Sequence, residues 1–195
     1  MIVADPPAVG CPGASRRSCD LSLNEIRCLC LDVDGVLTDG RIYVDADGRS
    51  ARAFHVHDGF AIHWFQRLGG VVAIVSGKDS PAVTARAREL GIEHVIQGSR
   101  DKLADLTALL GRLDLTLAQV AMVGDDLPDL PVLRRCGFPI AVADAAPEVK
   151  AAARLITRRP GGAGAVRDAV EYLLRTAGEW EQVLEHYGAA DATSA

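Results

Sequence analysis

The chain has 195 residues, with 21 basic and 26 acidic side chains and a formal net charge of −5. This length predicts one domain around a single core; no basic run exceeds a pair of arginines, which argues against nucleic-acid binding, and no apolar run is long enough to span a membrane. The five cysteines form neither a C-x-x-C pair nor a zinc-ligand spacing, which favours a reducing cytoplasm.

The predicted elements alternate between strands and helices over most of the chain. Residues 1–24, rich in proline, glycine, serine and alanine, predict a disordered leader, residues 25–178 predict one domain, and residues 179–195 predict a C-terminal tail. Strands are predicted at 28–33, 71–75, 94–96, 120–123, 140–142 and 155–157, and helices at 59–68, 81–90, 101–112, 129–136, 147–153 and 164–174. This alternation predicts an α/β fold, a parallel sheet with helices on both faces.

One segment directly after the first predicted strand breaks the alternation. Residues 41–54 contain two extended stretches around Asp45-Ala46-Asp47-Gly48, a sequence typical of a hairpin turn. Because this hairpin follows the end of the first strand, we expect it to form a β-hairpin flap beside any site at that end.

The first predicted strand ends in Asp32-Val33-Asp34-Gly35. Open α/β sheets bind their ligands at the carboxyl ends of the strands. Two carboxylates on one face of a strand repel each other unless a cation or a proton lies between them. The pair therefore predicts a metal site, with one carboxylate as nucleophile and the other as general acid/base. A calcium-binding loop would place its glycine later, and the phosphoacceptor site of a receiver domain needs no second aspartate there.

Two later segments carry groups that suit a phosphate. Ser76-Gly77 ends the second strand of the predicted sheet, and a hydroxyl with free backbone N–H groups before a helix binds oxyanions. Lys102 begins a predicted helix, where the helix dipole disfavours a cation unless an anion lies nearby. The alternatives are an ordinary helix cap and a surface lysine.

A third segment, Gly124-Asp125-Asp126-Leu127-Pro128-Asp129, follows the predicted strand at 120–123. Its carboxylates are hard oxygen ligands, which suit Mg²⁺. Asp125 lies nearest the strand and is the predicted ligand, while Asp126 or Asp129 could instead cap the following helix.

In this order, the four motifs resemble those of the haloacid dehalogenase superfamily of phosphotransferases. The resemblance implies a Rossmann-like fold in which Asp32 attacks phosphorus in line and forms an aspartyl-phosphate. Asp34 would protonate the leaving oxygen and then activate water. Ser76 and Lys102 would hold the phosphoryl oxygens, with Gly77 beside Ser76. Mg²⁺ would be bound by Asp32, Asp125 and the backbone carbonyl of Asp34.

The spacing of the motifs excludes a cap domain. The segment from Asp34 to Ser76 holds only the hairpin and one helix, and the segment from Ser76 to Lys102 holds only a helix and a strand. Something other than a cap domain must therefore cover the site and exclude water from the reaction. A macromolecular substrate or neighbouring subunits could do so.

Further motifs closely resemble those of the capless phosphatases of 3-deoxy-D-manno-octulosonate 8-phosphate: G-V-L-T-D-G-R-I-Y, F-H-V-H-D-G-F, G-D-D-L-P-D-L-P-V-L and G-G-A-G-A-V-R-D. This resemblance implies a homotetramer with a central barrel of hairpins, sites completed by adjacent subunits, and a role in making the inner-core sugar of lipopolysaccharide. By position, the substrate would contact Asp34, His55, Val56, His57, Asp58, Gly59, His63, Lys78, Arg86 and Lys102.

The chain departs from that family pattern at four of these positions. His55, His57 and His63 stand where the family commonly has Asn, Arg and Arg, and Lys78 stands where Arg is usual. A guanidinium binds a carboxylate through two hydrogen bonds, and imidazole does not. A related nine-carbon substrate, an acylneuraminate or KDN 9-phosphate, or a broad range of phosphomonoesters, is therefore the alternative. A mutase is disfavoured by the missing cap, and a non-catalytic scaffold by the intact charged motifs.

Overall fold

A computed structural model of the chain describes residues 25–189; the predicted leader lies outside the described residues. The strands are β1 Cys28–Leu31, β2 Tyr43–Val44, β3 Ser50–Ala51, β4 Val71–Val75, β5 His94–Ile96, β6 Val120–Gly124, β7 Phe138–Ala141 and β8 Leu155–Ile156. The helices are α1 Val56–Arg67, α2 Pro81–Glu89, α3 Lys102–Arg112, α4 Leu130–Leu133, α5 Pro147–Ala152, α6 Ala165–Thr176 and α7 Trp180–His186. The helix predicted at 129–136 is much shorter: it begins at Leu130, after a 3₁₀ turn at Leu127–Asp129, and it ends at Leu133.

Strand β1 lies inside a six-stranded parallel sheet of order β5-β4-β1-β6-β7-β8. It pairs with β4 on one side and β6 on the other, so that Cys28 lies between Val71 and Val120. All four of its residues are fully buried, as expected where both faces of a parallel sheet are covered. Burial raises the pKa of the Cys28 thiol to about 12, which keeps it protonated as a small apolar group.

The helices form two layers, one on each face of the sheet. Helices α1 and α2 connect strands that step from β1 towards one edge, whereas α3, α4 and α5 connect strands that step the other way. Because such crossovers are right-handed, the two sets lie on opposite faces. Helix α6 packs against α1, and α4 packs against α3 and α5. The predicted α/β fold is confirmed.

Helix α7 packs onto the layer of α1 and α6. Trp180 and Val183 are buried, and the guanidinium of Arg167 lies 4.7 Å from the centre of the Trp180 ring. The ring of His186 lies 5.1 Å from that of Trp64. This packing attaches the described part of the predicted tail, residues 179–189, to the domain. No helix within 25–189 has both the length and the apolar character that crossing a bilayer requires.

The predicted flap forms an antiparallel hairpin of β2 and β3. Tyr43 pairs with Ala51, and in the turn the Asp45 carboxylate accepts hydrogen bonds from the backbone N–H groups of Asp47 (3.0 Å) and Arg49 (2.8 Å). Gly48 in the same turn has φ +77°, which favours glycine. Among residues 25–189, no further domain is inserted between the strands, so the predicted absence of a cap holds for the described chain.

Candidate active site

Three loops meet at the carboxyl edge of the sheet. Asp32 follows β1, Ser76 follows β4, and Asp125 follows β6, and β1 pairs with both of the other strands. Asp32 is 8% exposed, and its backbone N–H donates to the carbonyl of Val123 at 3.2 Å. The parallel register therefore gathers side chains that are far apart in the sequence.

Lys102 bridges two carboxylates of the site. We call Asp32, Lys102, Asp125 and Asp129 the centre. Its Nζ lies 2.8 Å from Asp32 Oδ1 and 2.7 Å from Asp129 Oδ1, and its side chain is only 7% exposed. Burial lowers the pKa of Lys102, but the two carboxylates raise it more, so the ammonium form is favoured. The alternative of a surface lysine is therefore wrong.

Asp129 and Asp126 have different roles in the third loop. Asp129 is 1% exposed, and its Oδ2 accepts hydrogen bonds from the backbone N–H groups of Asp125 (3.0 Å) and Asp126 (3.5 Å). Asp126 is exposed and caps the 3₁₀ turn, with its Oδ1 2.8 Å from the backbone N–H of Leu127. Asp129 thus belongs to the buried centre.

The carboxylates of Asp32, Asp125 and Asp129 fit a divalent cation. They offer oxygens that all lie within 4.8 Å of one another. The Oδ1 of Asp125 is buried without a hydrogen-bond partner, and burial, followed by the charges of Asp32 and Asp129, raises the pKa of Asp125 to about 8. A hard cation such as Mg²⁺ would give this oxygen a partner and offset the repulsion.

Glycines allow the first loop to approach its neighbours closely. Gly35 has φ +98°, and a side chain there would collide with the Asp125 carboxylate. On the other side, a side chain on Gly161 would collide with the Gly35 carbonyl, and the N–H of Gly162 donates to the carbonyl of Val36 at 3.0 Å. The 161–162 segment therefore holds the first loop against the rest of the site.

Asp34 is held by Arg52, a residue that the sequence motifs did not indicate. Arg52 Nε lies 2.7 Å from Asp34 Oδ1, and its Nη2 lies 3.3 Å from Oδ2. Burial raises the pKa of Asp34, but hydrogen bonds and charge from Arg52 and Lys78 lower it more, leaving it below its usual range. An arginine at the end of the predicted hairpin, where the chain returns towards the first strand, is the signal that could have indicated this contact.

The Ser76-Gly77-Lys78 segment forms a tight turn after β4. Ser76 is buried, and its hydroxyl donates to the Lys78 carbonyl at 3.2 Å and accepts from the Lys78 N–H at 3.3 Å. Gly77 is exposed. The Lys78 side chain is 57% exposed, with its Nζ 3.6 Å from Asp34 Oδ2. The Lys78 ammonium therefore lies beside Asp34, the predicted general acid/base.

Of the predicted substrate-binding histidines, His55 is half-buried and the other two are exposed. His55 precedes α1, and its Nδ1 accepts a hydrogen bond from the backbone N–H of His57 at 3.2 Å. The rings of these two residues are 4.9 Å apart. Val56, His57 and His63 are exposed. We use the name rim for the four predicted substrate-binding positions at which the chain departs from the family pattern: His55, His57, His63 and Lys78.

Asp58, Gly59 and Arg86 take part in packing between helices. Asp58 is buried, and its Oδ1 accepts a hydrogen bond from the backbone N–H of Arg167 at 2.7 Å, which caps the first turn of α6. Gly59 lies against the Arg86 guanidinium, which also pairs with Glu89 at 2.9 Å. Contacts of these three residues with substrate stay predictions.

The parallel fold, a lysine-bound aspartate after its first strand and the carboxylate cluster define a haloacid dehalogenase-like hydrolase. A family model with that description matches residues 79–167. Over 157 residues, the chain is 43% identical to the 3-deoxy-D-manno-octulosonate 8-phosphate phosphatase KdsC of Escherichia coli (strain K12), a match that covers 80% of this chain and 84% of that protein. The chain belongs to the family of 3-deoxy-D-manno-octulosonate 8-phosphate phosphatases.

Solved structures of similar proteins agree with this assignment. One is the phosphatase of Moraxella catarrhalis in complex with a magnesium ion, a phosphate ion and KDO, with 37% identity and a TM-score of 0.83 over 85% of this chain and 95% of that one. Another is the cobalt-bound phosphatase of Haemophilus influenzae, with 38% identity and a TM-score of 0.79 over 82% and 94%. The predicted family resemblance is confirmed.

Proposed function

We propose that the chain is a Mg²⁺-dependent phosphatase that hydrolyses 3-deoxy-D-manno-octulosonate 8-phosphate to the free sugar acid and phosphate. The observation that carries the proposal is the Asp32 carboxylate, fixed by buried Lys102 at 2.8 Å beside the carboxylates of Asp125 and Asp129. An oriented carboxylate next to a cation site suits in-line attack on phosphorus. The substrate is taken from the relatives with that activity.

Asp32, Asp125 and the backbone carbonyl of Asp34 would hold the Mg²⁺ ion, with Asp129 supporting the Asp125 loop. When bound, the ion neutralises negative charge on the phosphoryl oxygens and on the surrounding carboxylates. The unpartnered Oδ1 of Asp125 is the group in this chain that supports such a ligand set.

In the first half of the reaction, an Asp32 oxygen attacks phosphorus, and the bond from phosphorus to the sugar oxygen breaks. Asp34, in its protonated form, gives its proton to that leaving oxygen, because an alkoxide is a poor leaving group. The products are the sugar acid and an aspartyl-phosphate on Asp32. Lys102 keeps the attacking carboxylate oriented, and the Ser76 hydroxyl and Gly77 N–H bind phosphoryl oxygens.

In the second half, the Asp34 carboxylate takes a proton from a water molecule, whose oxygen attacks phosphorus. The bond from phosphorus to Asp32 breaks, which releases inorganic phosphate and restores the Asp32 carboxylate. Arg52 and Lys78 favour the ionised form of Asp34, which is the form that a general base requires.

The rim would recognise the sugar acid. Lys78 can contribute positive charge to a carboxylate, and the imidazoles of His55, His57 and His63 can contribute hydrogen-bond donors to a carboxylate and hydroxyl groups. Because none of these groups offers the two parallel donors of an arginine, a nine-carbon substrate, acylneuraminate or KDN 9-phosphate, or a broader phosphomonoester range, is the second candidate.

A homotetramer in the cytoplasm completes the proposal. The flap exposes apolar side chains: Tyr43 is 53% exposed and Val44 is 65% exposed, and the neighbouring Val56 is 77% exposed. Clustered apolar side chains at the surface mark interaction sites. Flaps from adjacent copies would cover one another and supply the wall that the missing cap leaves open.

The substrate assignment is tested by phosphate release from a panel of eight- and nine-carbon sugar-acid phosphates, with Mg²⁺ or with EDTA. We expect the highest kcat/KM for 3-deoxy-D-manno-octulosonate 8-phosphate and background release with EDTA. A higher kcat/KM for a nine-carbon ester would instead favour the second candidate, and no release from any ester with Mg²⁺ would overturn the phosphatase proposal.

The assembly is tested by light scattering on the natural chain and on Val44→Glu, which places a charge in the proposed interface. We expect a tetramer for the natural chain and smaller species for the variant. A natural chain that is monomeric and fully active would contradict the shared wall.

A further inference from the structure

Arg52 differs from the rest of the flap in its burial. It directly follows β3, whose residues are exposed, yet the Arg52 side chain is only 3% exposed. Removing a guanidinium from water is costly unless charged and polar partners replace the lost hydration. The position therefore requires partners that the flap itself does not supply.

The close partners of Arg52 come from two other loops of the site, and Ser50 of the flap lies farther away. Nε and Nη2 donate to the two oxygens of Asp34 at 2.7 and 3.3 Å, and Nη1 donates to the hydroxyl of Ser80 at 2.7 Å and lies 3.5 Å from the hydroxyl of Ser50. A planar guanidinium that binds both oxygens of a carboxylate fixes the plane of that carboxylate as well as its distance.

Ser80 holds the far side of the guanidinium in place. It is buried at the start of α2, and its backbone N–H donates to the side-chain oxygen of Gln97 at 2.8 Å. The amide nitrogen of Gln97 in turn donates to the hydroxyl of Thr84 at 2.8 Å. Lys78, the other cation beside Asp34, is exposed and lies 3.6 Å away, so its contact is much looser.

We propose that Arg52 is a positioning residue that orients the Asp34 carboxyl group for proton transfer and ties that orientation to the flap. This inference rests on the proposed function, in which Asp34 protonates the leaving oxygen. Because Arg52 continues directly from β3, a displacement of the hairpin displaces the guanidinium from Asp34. If a neighbouring copy covers the flap and fixes its position, it would also fix the orientation of the Asp34 carboxyl group through Arg52.

Proton transfer from Asp34 matters most when the leaving group is poor. A sugar alkoxide needs a proton as it departs, whereas p-nitrophenolate is stable as an anion. The parameter kcat/KM covers the steps up to formation of the aspartyl-phosphate, in which this proton is given. A misaligned Asp34 should therefore lower kcat/KM for sugar phosphates much more than for p-nitrophenyl phosphate.

The experiment compares Arg52→Met and Arg52→Lys with the natural enzyme on both esters at saturating Mg²⁺. Asp34→Asn shows the full effect of losing the acid, and Arg49→Met, at an exposed arginine of the same hairpin, is the matched control. We expect Arg52→Met to lose about 10- to 100-fold in kcat/KM for the sugar phosphate and less than about threefold for p-nitrophenyl phosphate. For Arg52→Lys, kcat/KM for the sugar phosphate should lie between the values for Arg52→Met and the natural enzyme. Arg49→Met should leave kcat/KM unchanged for both esters.

Equal losses on the two esters in Arg52→Met, at an unchanged melting temperature, would overturn the positioning role. If Arg52→Met does not fold, the ratio measured for Arg52→Lys decides in the same way. Absence of activity in the natural enzyme on both esters would instead defeat the proposed function, so the two failures are distinguishable.

Discussion

The buried centre of the site and the rim, which is proposed to bind substrate, have opposite surroundings. In the centre, Asp32, Lys102 and Asp129 are buried, and the Lys102 ammonium lies 2.8 Å from Asp32 Oδ1 and 2.7 Å from Asp129 Oδ1. At the rim, His57 and His63 are exposed. Buried charges need partners in fixed positions, so the fold determines the geometry of the centre. Exposed side chains can change with little effect on folding. If the rim binds substrate as proposed, changes there would alter the choice of substrate and leave the reaction the same.

The largest effect is expected from Asp32→Asn, which removes the nucleophile from the buried centre. Phosphate release should fall by about 10³-fold or more, because no other group can accept the phosphoryl group. Phosphate released from the sugar phosphate would be measured at fixed times, and the melting temperature would show whether the variant is folded. The control is Asp114→Asn, at an exposed position with φ 55° that asparagine tolerates. Turnover that survives Asp32→Asn would assign the nucleophile elsewhere.

Removal of the metal is expected to abolish turnover as well, through the same centre. EDTA should reduce phosphate release to background, and added Mg²⁺ should restore it. In Asp125→Asn, restoration should need a much higher Mg²⁺ concentration, because the amide is a weaker ligand than a carboxylate. A titration of activity against Mg²⁺ measures the shift. An unchanged Mg²⁺ midpoint would show that Asp125 is not a ligand.

At the rim, His57→Arg should change the choice of substrate. A guanidinium offers paired donors to the sugar-acid carboxylate, so kcat/KM for 3-deoxy-D-manno-octulosonate 8-phosphate should rise by about tenfold, with little change for p-nitrophenyl phosphate. His57→Gln is the uncharged counterpart and should produce no such gain. If His57→Arg changes kcat/KM by the same factor for both esters, the residue affects the reaction in the centre and not the choice of substrate.

In the metal-free protein, the stability of the fold should depend on pH through Asp125. Burial and neighbouring charges raise the pKa of folded Asp125 from 3.8 to about 8. Between these values the unfolded chain binds fewer protons at this site, so stability should fall as pH rises from about 4 to 8. Melting temperatures in EDTA at pH 5 and pH 8 would reveal this trend, and Asp125→Asn should weaken it. An equally steep trend in the variant would assign the effect to another group.

The smallest effect is expected from Asp58→Ala, which removes the hydrogen bond to the Arg167 N–H at the start of α6. The loss of a helix cap costs about 1 kcal/mol, so the melting temperature should fall by a few degrees. Because the carboxylate is buried within the helix packing, KM should stay unchanged. A raised KM at normal stability would return Asp58 to the predicted substrate-binding set.

Much of the fold could be predicted from local patterns. The apolar run at 71–75 is a strand with those bounds, because a buried parallel strand leaves a continuous apolar signal. The strand predicted at 94–96 also has those bounds, although it is half-buried at the edge of the sheet. The first strand was predicted to reach Val33 but ends at Leu31, because apolar character does not distinguish a strand end from a buried loop. The burial of Trp180 was not predicted, since it depends on contacts with distant helices.

The centre was predictable because its residues follow strand ends, and the fold carries strand ends to one edge. Asp125 was found in this way, whereas Lys102 was predicted from its place at the start of the helix after β5. Arg52 was missed because its side chain reaches Asp34 only through the path of the hairpin, which sequence spacing does not reveal. The role of Asp129 likewise depends on where its second oxygen accepts hydrogen bonds.

The contact of Gly161 and Gly162 with the loop around Gly35 has a consequence for synthesis of the protein. A chain leaving the ribosome begins to fold from its N-terminal side. Every charged group of the centre precedes residue 161, so a nascent chain contains all of them before the segment that holds the first loop in place. Termination just before Gly161 would therefore leave a polypeptide with the complete set of reactive side chains and no working enzyme.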